Sequence, residues 1–238
     1  MTRLSVNINK VALIRNSRGG NLPNLKQFAI DCESFGAQGI TVHPRPDQRH
    51  IHYDDIPILK EVVQTEFNIE GYPNPEFLDM VCANRPHQCT LVPDPPGVLT
   101  SNEGWDTIKH QTFLTDVVKR LKDAGVRVSL FLNPDPSLVK AAKSCGADRI
   151  ELYTGGFAQK YNQDPVEAIR QHKATAFEAE KMGIGLNAGH DLDLKNLKFY
   201  NQEISNLLEV SIGHALISNA LYYGIKNTIH MYLAQLDA

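Results

Sequence analysis

Eight short runs of β-branched and apolar residues recur along the chain, and segments with helical periodicity separate them. This alternation is typical of a parallel sheet, because parallel strands need a crossover connection that is usually a helix. The eight predicted strands are residues 4–9, 39–43, 67–71, 89–93, 126–132, 149–154, 183–189 and 208–213. Eight such strands in 238 residues predict an α/β fold, a (β/α)₈ TIM barrel with extra helices.

The segments between the strands predict helices with well-marked ends. They cover residues 22–36, 54–64, 74–84, 106–125, 135–146, 164–183, 194–203 and 214–238. Asn74, Asp135 and Asp164 each precede a proline, the arrangement of an N-cap followed by proline in the first turn. Glycines close several of these segments, as helix C-termini prefer: Gly36, Gly125, Gly146 and Gly183.

No low-complexity linker or change in composition divides the chain, so we expect one barrel domain over residues 1–238. A doubly wound open sheet is the main alternative. That fold usually carries a glycine-rich phosphate turn after its first strand, whereas this chain continues Asn7-Ile8-Asn9-Lys10.

Charge and composition exclude several classes of function. The net charge of −3 provides no basic field for nucleic acid, and no apolar stretch approaches the ~20 residues that span a bilayer. The N-terminus lacks the pattern of a secretory signal. Four scattered cysteines without C-x-x-C spacing indicate reduced thiols and favour the cytoplasm.

Polar residues follow the predicted strands at the end where barrel active sites lie. They are Asn7, Asn9, His43, Arg45, Glu70, Glu151, Asn187, His190, Gly213 and His214. A single histidine or glutamate is more often structural than catalytic. Three imidazoles and two carboxylates that converge in one barrel would nevertheless suit repeated proton transfers.

Two features predict phosphate binding. Gly213 and His214 join the last strand to a helix, so their backbone N–H groups could face an anion, although two ordinary turns would look the same. Residues 15–21 and 43–52 form predicted basic loops whose arginines could grip phosphate oxygens. His50 and His52 could form a metal pair, but no partner ligand has metal spacing, and we predict no metal site.

At these same positions the chain resembles the pyridoxine 5′-phosphate synthase family nearly end to end. The similar pieces are V-N-I (6–8), R-N-S-R-G (15–19), G-I-T-V-H-x-R (39–45), R-H-I (49–51), N-I-E (68–70), L-V-P (91–93), V-S-L-F (128–131), I-E-L-Y-T-G (150–155), N-A-G-H (187–190) and I-G-H-A-L-I (212–217). The resemblance implies a transferase that condenses 3-amino-2-oxopropyl phosphate with 1-deoxy-D-xylulose 5-phosphate. The products would be pyridoxine 5′-phosphate, phosphate and water, and no metal or organic cofactor is implied.

The resemblance also implies roles for individual residues. His43 and Glu70 would accept protons and His190 would donate one. The implied substrate-binding residues are Asn7, Asn9, Lys10, Arg18, Arg45, His50, Ser101, Glu151, Asp191, Gly213 and His214. Arg18 resembles a loop arginine that reaches a phosphate, in some members across a subunit boundary, so a homo-octamer built as a tetramer of dimers is implied.

The chain departs from the family at two places. Many relatives carry Asp-His where this chain has Asn9-Lys10, and glycine is frequent where this chain has Asp191. Two other functions stay open at this point. One is another phosphate-binding barrel, an aldolase or isomerase, although no strand-end lysine other than Lys10 could form a Schiff base. The other is a non-catalytic barrel that only binds phosphorylated metabolites.

Overall fold

Eight parallel strands close into a barrel in the order in which they occur along the chain. The computed structural model describes residues 1–94 and 101–237. The strands are β1 (Arg3–Asn7), β2 (Gly39–Val42), β3 (Glu66–Gly71), β4 (Gln88–Leu91), β5 (Arg127–Leu132), β6 (Arg149–Tyr153), β7 (Gly185–Gly189) and β8 (Leu207–Ile212). β1 pairs with both β2 and β8, which closes the sheet. The predicted barrel and its eight strands are confirmed.

Eleven helices occur in the described part of the chain and surround the barrel. They are α1 (Asn9–Asn16), α2 (Leu25–Ser34), α3 (Asp55–Val62), α4 (Pro75–Asn84), α5 (Gln111–Asp123), α6 (Pro136–Ser144), α7 (Gly155–Tyr161), α8 (Pro165–Met182), α9 (Leu197–Glu203), α10 (His214–Tyr223) and α11 (Ile225–Leu236). Each predicted helical segment contains at least one of them.

The helix predictions were wrong in four places. Helices α1 and α7, of eight and seven residues, were missed because segments this short show little periodicity. The segment predicted as 106–125 becomes helical only at Gln111. The last segment breaks into α10 and α11 at Gly224, whose φ of 73° is left-handed and interrupts the helix. Ala238, at its predicted end, lies outside the described residues.

The predicted helix caps are confirmed. The side chains of Asn74, Asp135 and Asp164 accept hydrogen bonds from backbone N–H groups at the start of α4, α6 and α8. The four glycines expected at helix ends all have positive φ, from 61° at Gly183 to 104° at Gly36. These local signals begin and end helices without help from tertiary contacts.

Side chains alternate along each strand between an apolar set and a polar set. Residues such as Leu4, Val6, Ile40 and Val42 belong to the buried hydrophobic core. Their neighbours along the strands form polar contacts across the barrel interior, as Thr90 of β4 does with Glu151 of β6. Many barrels fill this interior with Val, Ile and Leu. Here the apolar core lies between strands and helices, and the barrel interior is polar.

A cluster of charged side chains lies at the N-terminal ends of the strands, away from the polar C-terminal ends. Glu66 of β3 pairs with Arg127, and it lies 3.5 Å from Arg3 and 3.8 Å from Arg149. Burial alone would raise the pKa of Glu66, but the arginines lower it below its usual value. Glu209 of β8 lies beside Glu66, and burial raises its pKa. This cluster joins strands that are not neighbours in the barrel, and its role is to stabilise the fold.

Candidate active site

One cavity of about 430 Å³ opens at the C-terminal ends of the strands. Its lining comprises Asn7, Asn9, Lys10, His43, Arg45, His50, Glu70, Val92, Ser101, Phe131, Glu151, His190, Asp191, Ser211, Gly213 and His214. All predicted catalytic and substrate-binding residues except Arg18 are in this set. The barrel brings them together, since each lies in the C-terminal half of a strand or in the segment that follows a strand.

The basic segment 15–21 is only partly the predicted loop, because residues 17–21 lie outside any helix whereas its first two residues are helical. Arg15 and Asn16 lie in α1, and Arg15 is buried, with its guanidinium 2.6 Å and 2.9 Å from the two carboxylate oxygens of Asp55. This bidentate pair holds α1 against the start of α3, so Arg15 is structural. Arg18 is exposed beyond the end of α1 and does not line the cavity.

His43 and Glu70 face each other inside the cavity, with His43 Nδ1 3.9 Å from Glu70 Oε2. Burial, together with the nearby Arg45 and His50, lowers the pKa of His43 well below its usual value. Burial and the neighbouring carboxylates Glu151 and Asp94 raise the pKa of Glu70 well above its usual value. The lowered pKa favours the neutral imidazole and the raised pKa favours the protonated carboxyl group, so the pair can supply one base and one acid.

Glu151 of β6 is a second buried carboxyl group in the cavity. Burial raises its pKa to about 7, although the hydroxyl of Thr90 and the imidazole of His190 act in the opposite direction. A group that titrates near neutral pH can give or take a proton at little cost. Gly189 is needed beside it, because an added Cβ would lie 2.5 Å from Glu151 Oε1.

Asn9 has a clear positioning role. Its Oδ1 accepts a hydrogen bond of 2.9 Å from the backbone N–H of His43, and its own N–H donates to Asn7 Oδ1 over 3.1 Å. These bonds connect the end of β1 to the end of β2. An aspartate at position 9 could accept the same bond from His43, so asparagine provides an equivalent acceptor here.

Arg45 lines one side of the cavity, where it forms a buried polar cluster with Asp94 and Ser101. Its Nη2 donates to Asp94 Oδ2 over 2.8 Å, and the hydroxyl of Ser101 donates to the same oxygen. Asp94 thereby orients two of the side chains that the resemblance implied for substrate binding, and Asp94 itself was not predicted. The feature of the sequence that could have identified Asp94 is its position just beyond β4, two residues after Val92.

His50 is buried in the cavity and His52 is exposed, so the two imidazoles do not form a pair. His50 Nδ1 accepts a hydrogen bond of 2.9 Å from the backbone N–H of Ile51, which leaves the proton of the neutral ring on Nε2. Burial lowers the pKa of His50 to about 4, with help from Arg45 and Arg49. Within residues 1–94 and 101–237, no three His, Cys, Asp or Glu side chains are arranged to hold a metal ion.

His190 follows β7 in a strained backbone conformation, with φ of 96°. Its Nδ1 lies 2.7 Å from Asp191 Oδ2, and its ring meets Tyr153 edge-on at 5.4 Å between centroids. The hydroxyl of Thr154 fixes the turn, since it donates to the Gly189 carbonyl and accepts from the Asp191 N–H. Sequence analysis missed Thr154, which is buried beneath the cavity.

Gly213 ends the last strand and is the N-cap of α10, whose first residue is His214. No side chain among the described residues caps this helix, so its first N–H groups stay available at the cavity, where the helix dipole favours an anion. An added Cβ at position 213 would lie 3.1 Å from the Asn7 side chain. Glycine therefore keeps this corner open.

The remaining lining residues, Val92, Phe131 and Ser211, were also missed. Val92 and Phe131 belong to sequence pieces shared with the family, but none of the three carries a group that points to chemistry, so the closed barrel identifies them as lining residues. None of the helices in the described ranges is both long and apolar enough to cross a membrane.

Fold and site together define an α/β-barrel protein whose cavity combines buried acid–base groups with an anion-binding corner. Residues 4–238 match the family model described as "Pyridoxal phosphate biosynthesis protein PdxJ". The chain belongs to this family. It is 56% identical over 236 residues to the pyridoxine 5′-phosphate synthase of Cytophaga hutchinsonii, covering 99% of both chains. It is also 56% identical over 232 residues to the enzyme of that name from Bacteroides fragilis, covering 98% of both.

Solved structures with low sequence identity share the barrel. Phosphoribosylanthranilate isomerase from Thermotoga maritima has a TM-score of 0.62 at 12% identity, covering 100% of this chain and 99% of its own. Tryptophan synthase from M. tuberculosis has a TM-score of 0.66 at 11% identity, covering 100% of this chain and 93% of its own. At this identity the likeness concerns the fold alone.

Proposed function

We propose that the chain is a pyridoxine 5′-phosphate synthase, which condenses 3-amino-2-oxopropyl phosphate with 1-deoxy-D-xylulose 5-phosphate and releases phosphate and water. The observation that carries this proposal is the convergence of His43, Glu70, Glu151 and His190 in one cavity. The identity of 56% to synthases of that name, over nearly the whole chain, supports the same activity.

The acid–base groups match the needs of such a reaction. Imine formation, loss of phosphate, loss of water and ring closure each move protons, so several groups must alternate between acid and base. Neutral His43 can take a proton at the start, while Glu70 enters the cycle as an acid and becomes a base only after it has released its proton. His190, on the opposite strand end, would act as the donor, and Glu151 would stabilise charge that develops between them.

The two phosphate groups would bind at separate places in the cavity. Asn7, Gly213 and His214 would hold the amino-ketone phosphate at the N-terminus of α10. Arg45, His50 and Ser101 would hold the deoxyxylulose phosphate, with Asp94 keeping Arg45 and Ser101 in position. Lys10 lines the cavity between these groups and would add a positive charge. Asp191 lines the cavity and contacts His190, so it would help to bind the substrate beside that imidazole.

The test is an assay of purified protein with both substrates and no added metal. We expect release of phosphate and formation of a pyridine chromophore in equal amounts. Omission of the amino ketone distinguishes the alternatives, because an aldolase or isomerase would still convert the sugar phosphate alone. A non-catalytic barrel would bind the substrates and form no product. Either result, obtained with substrates shown to be intact, would contradict the proposed synthase activity.

We further propose that the chain forms a homo-octamer, a tetramer of dimers, in the cytoplasm. Helices α1 and α10 pack together and expose the large apolar side chains Leu13, Ile14, Leu221, Tyr222 and Tyr223. Arg18 lies exposed just beyond α1, where it could reach the cavity of a neighbouring subunit. The four free cysteines suit a reducing compartment. Light scattering should give a mass of eight chains of 26.6 kDa, and a monomer would contradict the assembly.

A further inference from the structure

A continuous chain of hydrogen-bonded side chains crosses the barrel interior and ends at Glu151. Ser5 Oγ lies 2.7 Å from Thr41 Oγ1, and Asn68 Nδ2 donates to that same Thr41 oxygen over 3.3 Å. Thr90 Oγ1 lies 3.1 Å from Asn68 Oδ1 and 3.4 Å from Glu151 Oε2. The residues come from β1, β2, β3, β4 and β6, and all of them are buried.

Thr90 stands between two acceptors with a single hydrogen. A hydroxyl group donates one hydrogen bond and accepts others through its lone pairs. When Glu151 is ionised, Thr90 can donate to its carboxylate. When Glu151 is protonated, the carboxyl group can donate to Thr90 Oγ1, whose hydrogen then turns to Asn68 Oδ1. Both arrangements use the same heavy-atom positions, so only the hydroxyl hydrogen must rotate.

Other titratable groups also act on Glu151. Glu70 of β3, Glu209 of β8 and His190 beyond β7 face it across the barrel, and burial raises the pKa of both glutamates. Arg127 of β5 and Arg149 of β6 lie toward Glu66 at the other end of the barrel. Thr90 is the neutral group whose hydrogen bond to Glu151 lowers the pKa of that carboxyl.

We propose that Thr90 is a positioning residue for Glu151, whose hydroxyl supports the protonated and the ionised carboxyl in turn and so lets Glu151 change charge without moving. The assignment of Glu151 to the reacting cavity rests on the proposed function. The hydrogen-bond relationship does not, because it concerns the free protein. An unsupported buried carboxylate would be costly, which gives the hydroxyl a physical effect in the absence of substrate.

The experiment compares the titration of Glu151 in the wild-type protein and in Thr90→Val, which has the same shape without the hydroxyl. Carbon-13 NMR of protein labelled at the glutamate side-chain carboxyl groups follows the titration, and Glu151→Gln assigns the signal. We expect the Glu151 midpoint to rise by about one pH unit in Thr90→Val, because the ionised form loses a charge-assisted hydrogen bond whereas the protonated form loses a weaker one. Turnover should fall about tenfold, with KM changed less than kcat.

Three further variants make the result decisive. Thr90→Ser keeps the hydroxyl and should restore the wild-type midpoint. Thr90→Ala also removes the hydroxyl but adds less bulk, and it takes the place of Thr90→Val if the valine variant does not fold. Ser129→Ala deletes the buried hydroxyl paired in register with Thr90 on β5, and it should leave the midpoint unchanged. An unshifted midpoint in both hydroxyl-free variants would overturn the proposal, as would an equal shift in Ser129→Ala. Because the titration needs no turnover, failure of the synthase assay would leave this test intact.

Discussion

His190 Nδ1 lies 2.7 Å from Asp191 Oδ2, so two adjacent residues beyond β7 form a histidine–carboxylate pair. The carboxylate accepts a hydrogen bond from Nδ1–H and thereby holds the proton of a neutral ring on that atom, leaving Nε2 for other partners. The pair is partly exposed, which limits its electrostatic strength.

Replacement of Asp191 by asparagine should test this orienting role. The new amide would keep an acceptor oxygen but lose the charge, so we expect a smaller population of the Nδ1–H tautomer and a turnover reduced about three- to tenfold. Nitrogen-15 NMR of the histidine ring measures the tautomer directly. Glu180→Gln, which removes an exposed carboxylate on α8, is the matched control. An unchanged tautomer in Asp191→Asn would mean that the carboxylate does not orient His190.

Glu70→Gln should separate folding from catalysis. Burial raises the pKa of Glu70 well above its usual value, which favours the neutral acid, and an amide resembles that form in size and polarity. We therefore expect a melting temperature close to that of the wild type and a kcat reduced about 10²- to 10⁴-fold, because the amide cannot release a proton. Thermal unfolding and phosphate release measure the two effects. Turnover at the wild-type rate would remove Glu70 from the mechanism.

Gly189→Ala should damage the site through Glu151. The added Cβ would lie 2.5 Å from Glu151 Oε1 and 3.0 Å from the Ser211 carbonyl oxygen, so the carboxyl group must move. Overpacking of this kind costs about 1–3 kcal/mol, and we expect a similar loss in the free energy of unfolding together with a large loss of turnover. Gly156→Ala is the control, since among the described residues its added Cβ meets nothing within 4 Å apart from its chain neighbours and the backbone of its own helix. Equal behaviour of the two variants would contradict the close approach.

Acid should destabilise the protein through His172, which lies outside the cavity. Burial lowers its pKa to about 4, and its Nδ1 lies 2.9 Å from the Tyr200 hydroxyl. Below the unfolded pKa of ~6.5 the unfolded chain binds a proton that the folded chain does not, so stability falls as the pH drops from 6.5 toward 4. This histidine should account for about 2 kcal/mol of the loss between pH 7 and pH 5.

His172→Gln removes the titrating group and can keep a hydrogen bond to Tyr200. Urea unfolding at pH 7 and pH 5 should show a loss smaller by about 2 kcal/mol in this variant. Turnover at pH 7 should stay near the wild-type value if the variant remains folded. The same pH dependence in both proteins would assign the acid sensitivity to other groups.

Local sequence signals predicted most of the fold because they act over a few residues. The β-branched runs, the caps at Asn74, Asp135 and Asp164, and the terminal glycines each specify backbone conformation without distant contacts. Helices α1 and α7 escaped prediction because short helices depend on tertiary packing more than on periodicity.

The residues of the candidate site could be predicted where a polar residue lies at the end of a strand. They could not be predicted where their role depends on contacts with residues that are distant in the sequence. His43, Glu70 and Glu151 follow from their places in the strand pattern. Asp94 and Thr90 do not, because their roles depend on partners brought close by the barrel. Arg15 shows the converse error, since its basic segment suggested phosphate binding and the structure pairs it with Asp55.

The sequence by itself determined the order of strands, the helix ends and the polar character of the strand termini, because these depend on local propensity and alternation. Only the tertiary structure decided which charges are neutral, which arginine is structural and which hydroxyl supports Glu151. The physical reason is that burial and opposing charges set protonation and pairing. Both arise when residues far apart in the chain close the barrel.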